Sequence, residues 1–275
     1  MEGEGAMERR IRIVGLCLIA VFALSAMVAA SASASVEFGQ CVKQAKGPKG
    51  FQGHYQDKAC TKAAPPEEIG LGGKLNKYEW VPGGGKNSAF SAKGKEVKLT
   101  SGTLEVACKN SAVVSGSASV RGAETLEEKF KFNSCVLPKF AKAQCTTHGK
   151  VAGEIETKTL WGSLSEGPEP EKTPFVTFEG KVKGEPKGSP TEVWAEFECN
   201  NSVFTLKGAL TGKDTQAKNA PGKKGGIEFK AGGAEQELVA TFPNPFNIEE
   251  TEEEPIELTF SQSNKFEVSD ELRQL

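Results

Sequence analysis

The sequence predicts an all-β protein, an antiparallel sandwich or barrel-like domain carrying three disulfides. Three observations predict it. Apolar residues alternate with polar ones over many short segments. Glycine and proline number 31 and 14 among 275 residues, a composition that makes long helices costly. Six of the seven cysteines lie beyond an N-terminal leader, an even set suited to pairing in an exported chain.

Residues 1–34 read as a signal peptide. Arg9, Arg10 and Arg12 make a positive start, Ile13 to Val28 is almost wholly apolar, and Ala30-Ser31-Ala32 and Ala32-Ser33-Ala34 are small-x-small cleavage sites. The apolar run is short for a membrane span of ~20 residues. Cys17 lies inside it and leaves with it. The mature domain is then 35–275, secreted, extracellular or associated with the cell envelope, with no stable membrane anchor after cleavage. It opens on a disulfide-looped segment, 35–68, where Cys41 and Cys60 bracket a Gly- and Lys-rich loop.

Strands follow in order. Leu104, Val106 and Cys108 share one face; Leu126, Phe130 and Phe132 share another, opposite Glu127, Lys129 and Lys131. Val176, Phe178 and Gly180 repeat the pattern, and Ala195, Phe197 and Cys199 oppose Trp194, Glu196 and Glu198. Ile227 with Phe229, then Leu238, Ala240 and Phe242, then Ile256, Leu258 and Phe260 complete the series. Ser165 to Pro174 and Gly184 to Pro190 read as exposed loops. The end, 248–275, is an acidic C-terminal segment, and its densest run, Glu249 to Glu254, reads as a solvated loop.

Six cysteines allow 15 pairings. Short spacing favours Cys41–Cys60 and Cys135–Cys145, which leaves Cys108 for Cys199. Glu105 to Ser111 and Glu196 to Ser202 both read E-[VF]-x-C-x-N-S. Asn-Ser is turn chemistry, so each copy is expected to be a hairpin, the two forming related halves joined through Cys108 and Cys199.

The net charge is −2 and Lys and Glu are interspersed, so no basic stripe for nucleic acid is expected. Only three of the 36 acidic residues are Asp, and no calcium loop is present. There is no C-x-x-C pair, and the histidines are His54 and His148 alone, each expected as a surface residue. No catalytic, cofactor or metal-binding residue is assigned, and no cofactor is expected. Paired carboxylates, Glu154 with Glu156 and Glu196 with Glu198, have the i, i+2 spacing of ~6.5–7 Å along a strand. That suits an inverting glycosidase, but alternating Glu also keeps an exposed sheet face solvated, which is the expected role. Tyr55, Tyr78, Trp80, Trp161 and Trp194 could make a sugar-stacking surface, Tyr78 and Trp80 sharing a strand face, but core packing or edge protection is the expected role of each.

Three motifs add a resemblance. Gly53 to Thr61 fits G-x-Y-x-D-x-x-C-T, Tyr78 to Gly83 fits Y-E-W-x-P-G, and Gly153 to Thr157 fits G-E-I-x-T. Together they resemble a family of uncharacterised exported proteins of soil actinobacteria. The likeness runs from about Cys41 to Gln236 and carries no assigned activity. The expected role is a non-enzymatic binding or structural β protein whose partner is an envelope glycan or an extracellular protein. A secreted glycan-active hydrolase using paired Glu, and an inhibitor or protein-interaction module, are the alternatives.

Overall fold

The computed structural model describes residues 36–66, 75–83, 89–102, 104–166, 173–215, 225–230, 236–244, 247–266 and 270–274. The expected signal peptide, 1–34, and residues 167–172 of the segment expected as an exposed loop lie outside them.

The described residues are built from antiparallel strands. Thr125–Glu128 and Phe130–Asn133 make one path broken at Lys129. It pairs with Leu160–Glu166 on one side and with Asn110–Val113 on the other. From Leu160–Glu166 the ladder continues through Pro174–Lys181, Ala209–Asp214, Gly225–Phe229 and Asn247–Phe266 to Phe90–Gly94, which returns to Asn110–Val113. Eight strands therefore close a barrel. Its interior is aromatic: Phe130 lies 5.4 Å from Phe178 and from Phe260, ring centre to ring centre, and Phe229 stacks on Phe260 at 4.4 Å. Fully burying each such ring is worth roughly 1.5–3 kcal/mol. Outward positions carry Lys129, Lys131, Glu179 and Lys181, the reverse of a lipid-facing barrel.

A second ring branches from the same long strand. Asn247–Phe266 pairs with Leu238–Asn244, then Ser202–Lys207, Val193–Cys199, Ala143–Thr146, Val136–Leu137, Glu105–Cys108 and Val97–Thr100, which returns to Glu257, Leu258 and Thr259. We call the first ring the aromatic barrel and the second the cystine barrel. The chain passes between them at Gly208, whose φ is +115°, and a Cβ there would lie 1.9 Å from the Glu237 carbonyl oxygen. Only glycine fits such a crossing.

Three expectations change. The acidic run is not a loop: Thr251 to Glu254 pair with Pro243 to Ala240 inside the shared strand. The period set by Ile256, Leu258 and Phe260 extends back through the acids, which alternate exposed and half-buried. The echoing segments are not equivalent hairpins either. Cys199 and Ser202 face each other across Asn200 and Asn201, both at positive φ (50° and 65°), the geometry of a type I′ turn. The first copy has Lys109 in place of the first Asn. There Glu105–Cys108 and Asn110–Val113 lie in different rings and have no ladder between them. Asparagine tolerates the left-handed region and lysine does so poorly. Finally, Trp194 does not share a face with Glu196 and Glu198. A register shift between Val193 and Ala195 turns it inward, fully buried and 5.8 Å from Phe130.

The N-terminal segment forms a small sheet in which Val36–Lys43 lies between Tyr78–Pro82 and Asp270–Gln274. Trp80 is buried, and its indole N–H donates to the buried Glu37 carboxylate. Cys41–Cys60 fastens the following loop, with the Cα atoms 5.6 Å apart, as the spacing suggested.

Candidate functional site

The other two disulfides are Cys108–Cys135 and Cys145–Cys199. Both differ from the expected local pairing, and strand order is the reason. The register Val136↔Ala107 sets Cys135 opposite Cys108, Val136↔Gln144 sets it also opposite Cys145, and Cys145 faces Cys199. The four cysteines form one row across four adjacent strands. A Cys135–Cys145 bridge would leave Cys108 and Cys199 three strand spacings apart, ~14 Å, beyond the ~7 Å limit for bridging. Pairing the outer couples uses all four sulfurs, with Cα separations of 4.0 and 4.2 Å.

Between the inner cysteines the chain turns over five residues, Pro138 to Lys142. The amide of Phe140 donates to Leu137 at 3.2 Å and that of Ala143 to Phe140 at 2.9 Å. Ala141 and Lys142 both take positive φ, 50° and 58°. Ser134, before Cys135, does the same at 56°. Five of the six described non-glycine residues in this region of backbone space, counting Asn200 and Asn201, lie on the loops that flank these cysteine-bearing strands. The Asn200-Asn201 pair is accounted for by its type I′ turn; at Ser134, Ala141 and Lys142 such conformations cost of order 1–3 kcal/mol each and concentrate where a backbone serves a ligand.

Three adjoining clefts open there. The widest, about 730 Å³, is floored by Cys108 and Cys135 and edged by Lys109, Lys142, Glu96 and Gln144. An apolar one of about 240 Å³ lies under Phe140, over Leu104, Leu137, Phe204 and Phe242, and reaches Asn200. The third, about 480 Å³, is polar, with His148, Thr146, Glu198, Asn200 and Asn201, and shares Gln144 with the first. Phe140 is 54% exposed and Val203, on the neighbouring hairpin, 47%. Neither Lys109 nor Lys142 forms an ion pair with a described residue. Chemically, this end offers an apolar slot, two lysine ammonium groups and amide and hydroxyl groups on a cross-linked frame. Sequence reasoning passed over Phe140. Its signal was a lone aromatic in an otherwise short, Lys-rich turn between two cysteines.

Of the carboxylates, aromatics and histidines weighed in the sequence, Glu198 and His148 line the polar cleft and the others fall elsewhere. Glu154 and Glu156 are not solvated: their side chains are 16% and 10% exposed. Glu154 pairs with Lys131 at 3.3 Å; Glu156 pairs with Lys129 at 3.0 Å and Lys150 at 2.6 Å. Burial opposes the Glu156 charge, but hydrogen bonds and charge from Lys150 and Lys129 outweigh it and hold the carboxyl below its usual range. A glycosidase general acid needs the opposite shift. Glu196 and Glu198 are exposed. His54 is exposed and its Nδ1 lies 2.6 Å from Glu79. Trp80 and Trp194 belong to the core, so the five aromatics do not share one surface. Trp161 lies outside the aromatic barrel, 6.0 Å from the Lys181 ammonium. Among the described residues no group of three His, Cys, Asp or Glu side chains is placed to hold a metal ion.

The residues of the three sequence motifs hold the fold. Asp57 accepts from the Thr61 and Lys62 amides at 3.1 and 2.8 Å and from the Thr61 hydroxyl at 2.8 Å. Burial works against its charge, yet these donors keep its carboxyl below the ordinary range. Tyr55 and Tyr78 exchange both backbone hydrogen bonds at 2.9 Å. Thr157 Oγ1 accepts from the Phe130 amide at 2.9 Å, and Gly153 has φ +80°. No family model, no curated protein and no solved structure matches the chain.

Proposed function

We propose that this is an exported, non-enzymatic binding protein whose ligand docks at the disulfide-floored end of the cystine barrel. The observation that carries the reading is the convergence of three clefts on the loops where five of the described non-glycine residues hold positive φ. Mouths of β-barrels are common ligand sites. A slot of about 240 Å³ takes one small ring or a branched aliphatic group. The adjoining polar clefts supply Lys109, Lys142 and Gln144 for an acidic or hydroxylated remainder. The ligand is therefore a small amphipathic molecule. Three cystines accord with an oxidising compartment. Removal of residues 1–34 on export and kinship with exported actinobacterial proteins belong to the same proposal.

A screen of small aromatic and aliphatic carboxylic acids by 15N shift mapping tests it. Shifts clustered on Leu137 to Gln144 and Asn200 to Phe204 are expected, and Phe140→Ala should weaken the best fragment several-fold. No binding at millimolar concentration, or shifts centred elsewhere, would overturn the assignment. N-terminal sequencing of protein from the culture medium tests cleavage near Ala34.

A further inference from the structure

A separate surface lies on the N-terminal lobe. From Lys43 to Lys62 the chain has five lysines, Lys43, Lys46, Lys49, Lys58 and Lys62, against a single acid, Asp57. All five are exposed, as is Lys77. The Lys77 carbonyl accepts the Gln44 amide at 2.8 Å, beside the pair Lys43↔Tyr78. The Cys41–Cys60 bridge and the Tyr55–Tyr78 bridge fold these charges onto one lobe. None of the six lysines forms an ion pair with a described residue. Of the described acidic side chains beside them, Asp57 is engaged in its own turn and Glu79 with His54.

Like charges crowded on a cross-linked lobe repel one another, and a polyanion relieves that repulsion. The kind of polyanion follows from the side chains. The one arginine on this sheet, Arg273, is in register with Glu37, away from the Lys43 end of that strand, and residues 36–66 and 75–83 contain none; arginine is the residue favoured for bidentate phosphate contacts and protein hot spots. Lysine is depleted at protein interfaces. Phe51, Tyr55 and Tyr78 are half-buried among the lysines. Val42 and Val81 are 37% and 39% exposed. Aromatic and aliphatic faces take sugar C–H surfaces, while lysines neutralise pendant acid groups. We propose that this lobe binds an acidic polysaccharide, independently of the clefts in the cystine barrel.

The test is calorimetric titration of the mature protein with sodium polygalacturonate. Neutral dextran, polyglutamate and polyphosphate serve as comparisons, at NaCl from about 50 to 200 mM. Polygalacturonate is expected to bind most tightly, with affinity falling at least about tenfold over that salt range. The Lys43→Gln/Lys46→Gln/Lys49→Gln variant should lose about tenfold. Lys183→Gln/Lys187→Gln, outside the lobe, and Phe140→Ala should keep full affinity. Thermal melts check that the lysine variants fold. Absence of binding at low salt, equal binding of dextran, polyglutamate or polyphosphate, or an unaffected triple variant would each overturn the proposal. Retained binding in Phe140→Ala separates this result from failure of the cleft reading.

Discussion

Four cysteines in one row make a specific prediction about redox chemistry. Replacing Cys108 and Cys199 with Ala removes the outer members and leaves Cys135 facing Cys145 across a ladder, where the Cys145 amide donates to the Cys135 carbonyl at 3.0 Å. The two should then oxidise to each other. In the chain-entropy account, loops of 27 and 54 residues stabilise by about 3.6 and 4.2 kcal/mol, whereas the new loop of about 10 residues supplies about 2.7. The oxidised double variant should therefore be about 5 kcal/mol less stable than the parent and about 2.7 kcal/mol more stable than its own reduced form. Non-reducing peptide mapping reads the connectivity, thiol titration reads the completeness, and urea unfolding reads the two differences. Cys41–Cys60 stays as an internal standard. Two free thiols persisting in oxidised glutathione, in a variant that still folds, would refute the row.

Three further predictions concern stability. Gly208→Ala places a Cβ against the Glu237 carbonyl in a backbone conformation alanine resists. It should cost about 3 kcal/mol or more, lowering the calorimetric melting temperature by roughly 6–12 °C. Phe130→Ala removes the ring that touches Phe132, Phe178, Trp194, Phe229 and Phe260. A loss of about 3–5 kcal/mol is expected in urea unfolding, and a change under 1 kcal/mol would show the aromatic packing to be unimportant. Glu156→Gln loses charge-assisted bonds from Lys129 and Lys150, about 1–3 kcal/mol at neutral pH. The folded carboxyl titrates below its ordinary value of 4.5, so its contribution is complete above that value and is lost as pH falls through the lower folded one. Parent and variant should converge in acid, and a pH-independent difference would contradict the ion-pair account.

Much of the fold was legible in the sequence, because alternation is a local property. Phe130, Phe178, Phe229, Leu238 and Phe260 sit inside where the period of two places them, and the even cysteine count held. The Cys41–Cys60 bridge was readable too, since its loop closes on its own turns and the other cysteines lie together in the cystine barrel. Two errors were also local. The contrast between Lys109-Asn110 and Asn200-Asn201 separates a continuing path from a type I′ turn, and it stands in plain letters. The acidic run concealed a strand because charge outweighed the period beneath it.

What the sequence by itself determined is therefore the all-β character, the inward faces of most strands and the presence of three cystines. Which cysteines meet, how the ladders close into two rings on one long strand, and which loops converge beside Phe140 were decided only in the tertiary structure. The physical reason is range. A strand's period is written into its own residues, whereas a strand's neighbours depend on non-local closure. Cystine pairing obeys the neighbour: sulfurs join across ~5 Å between adjacent strands, however near or far they stand along the chain.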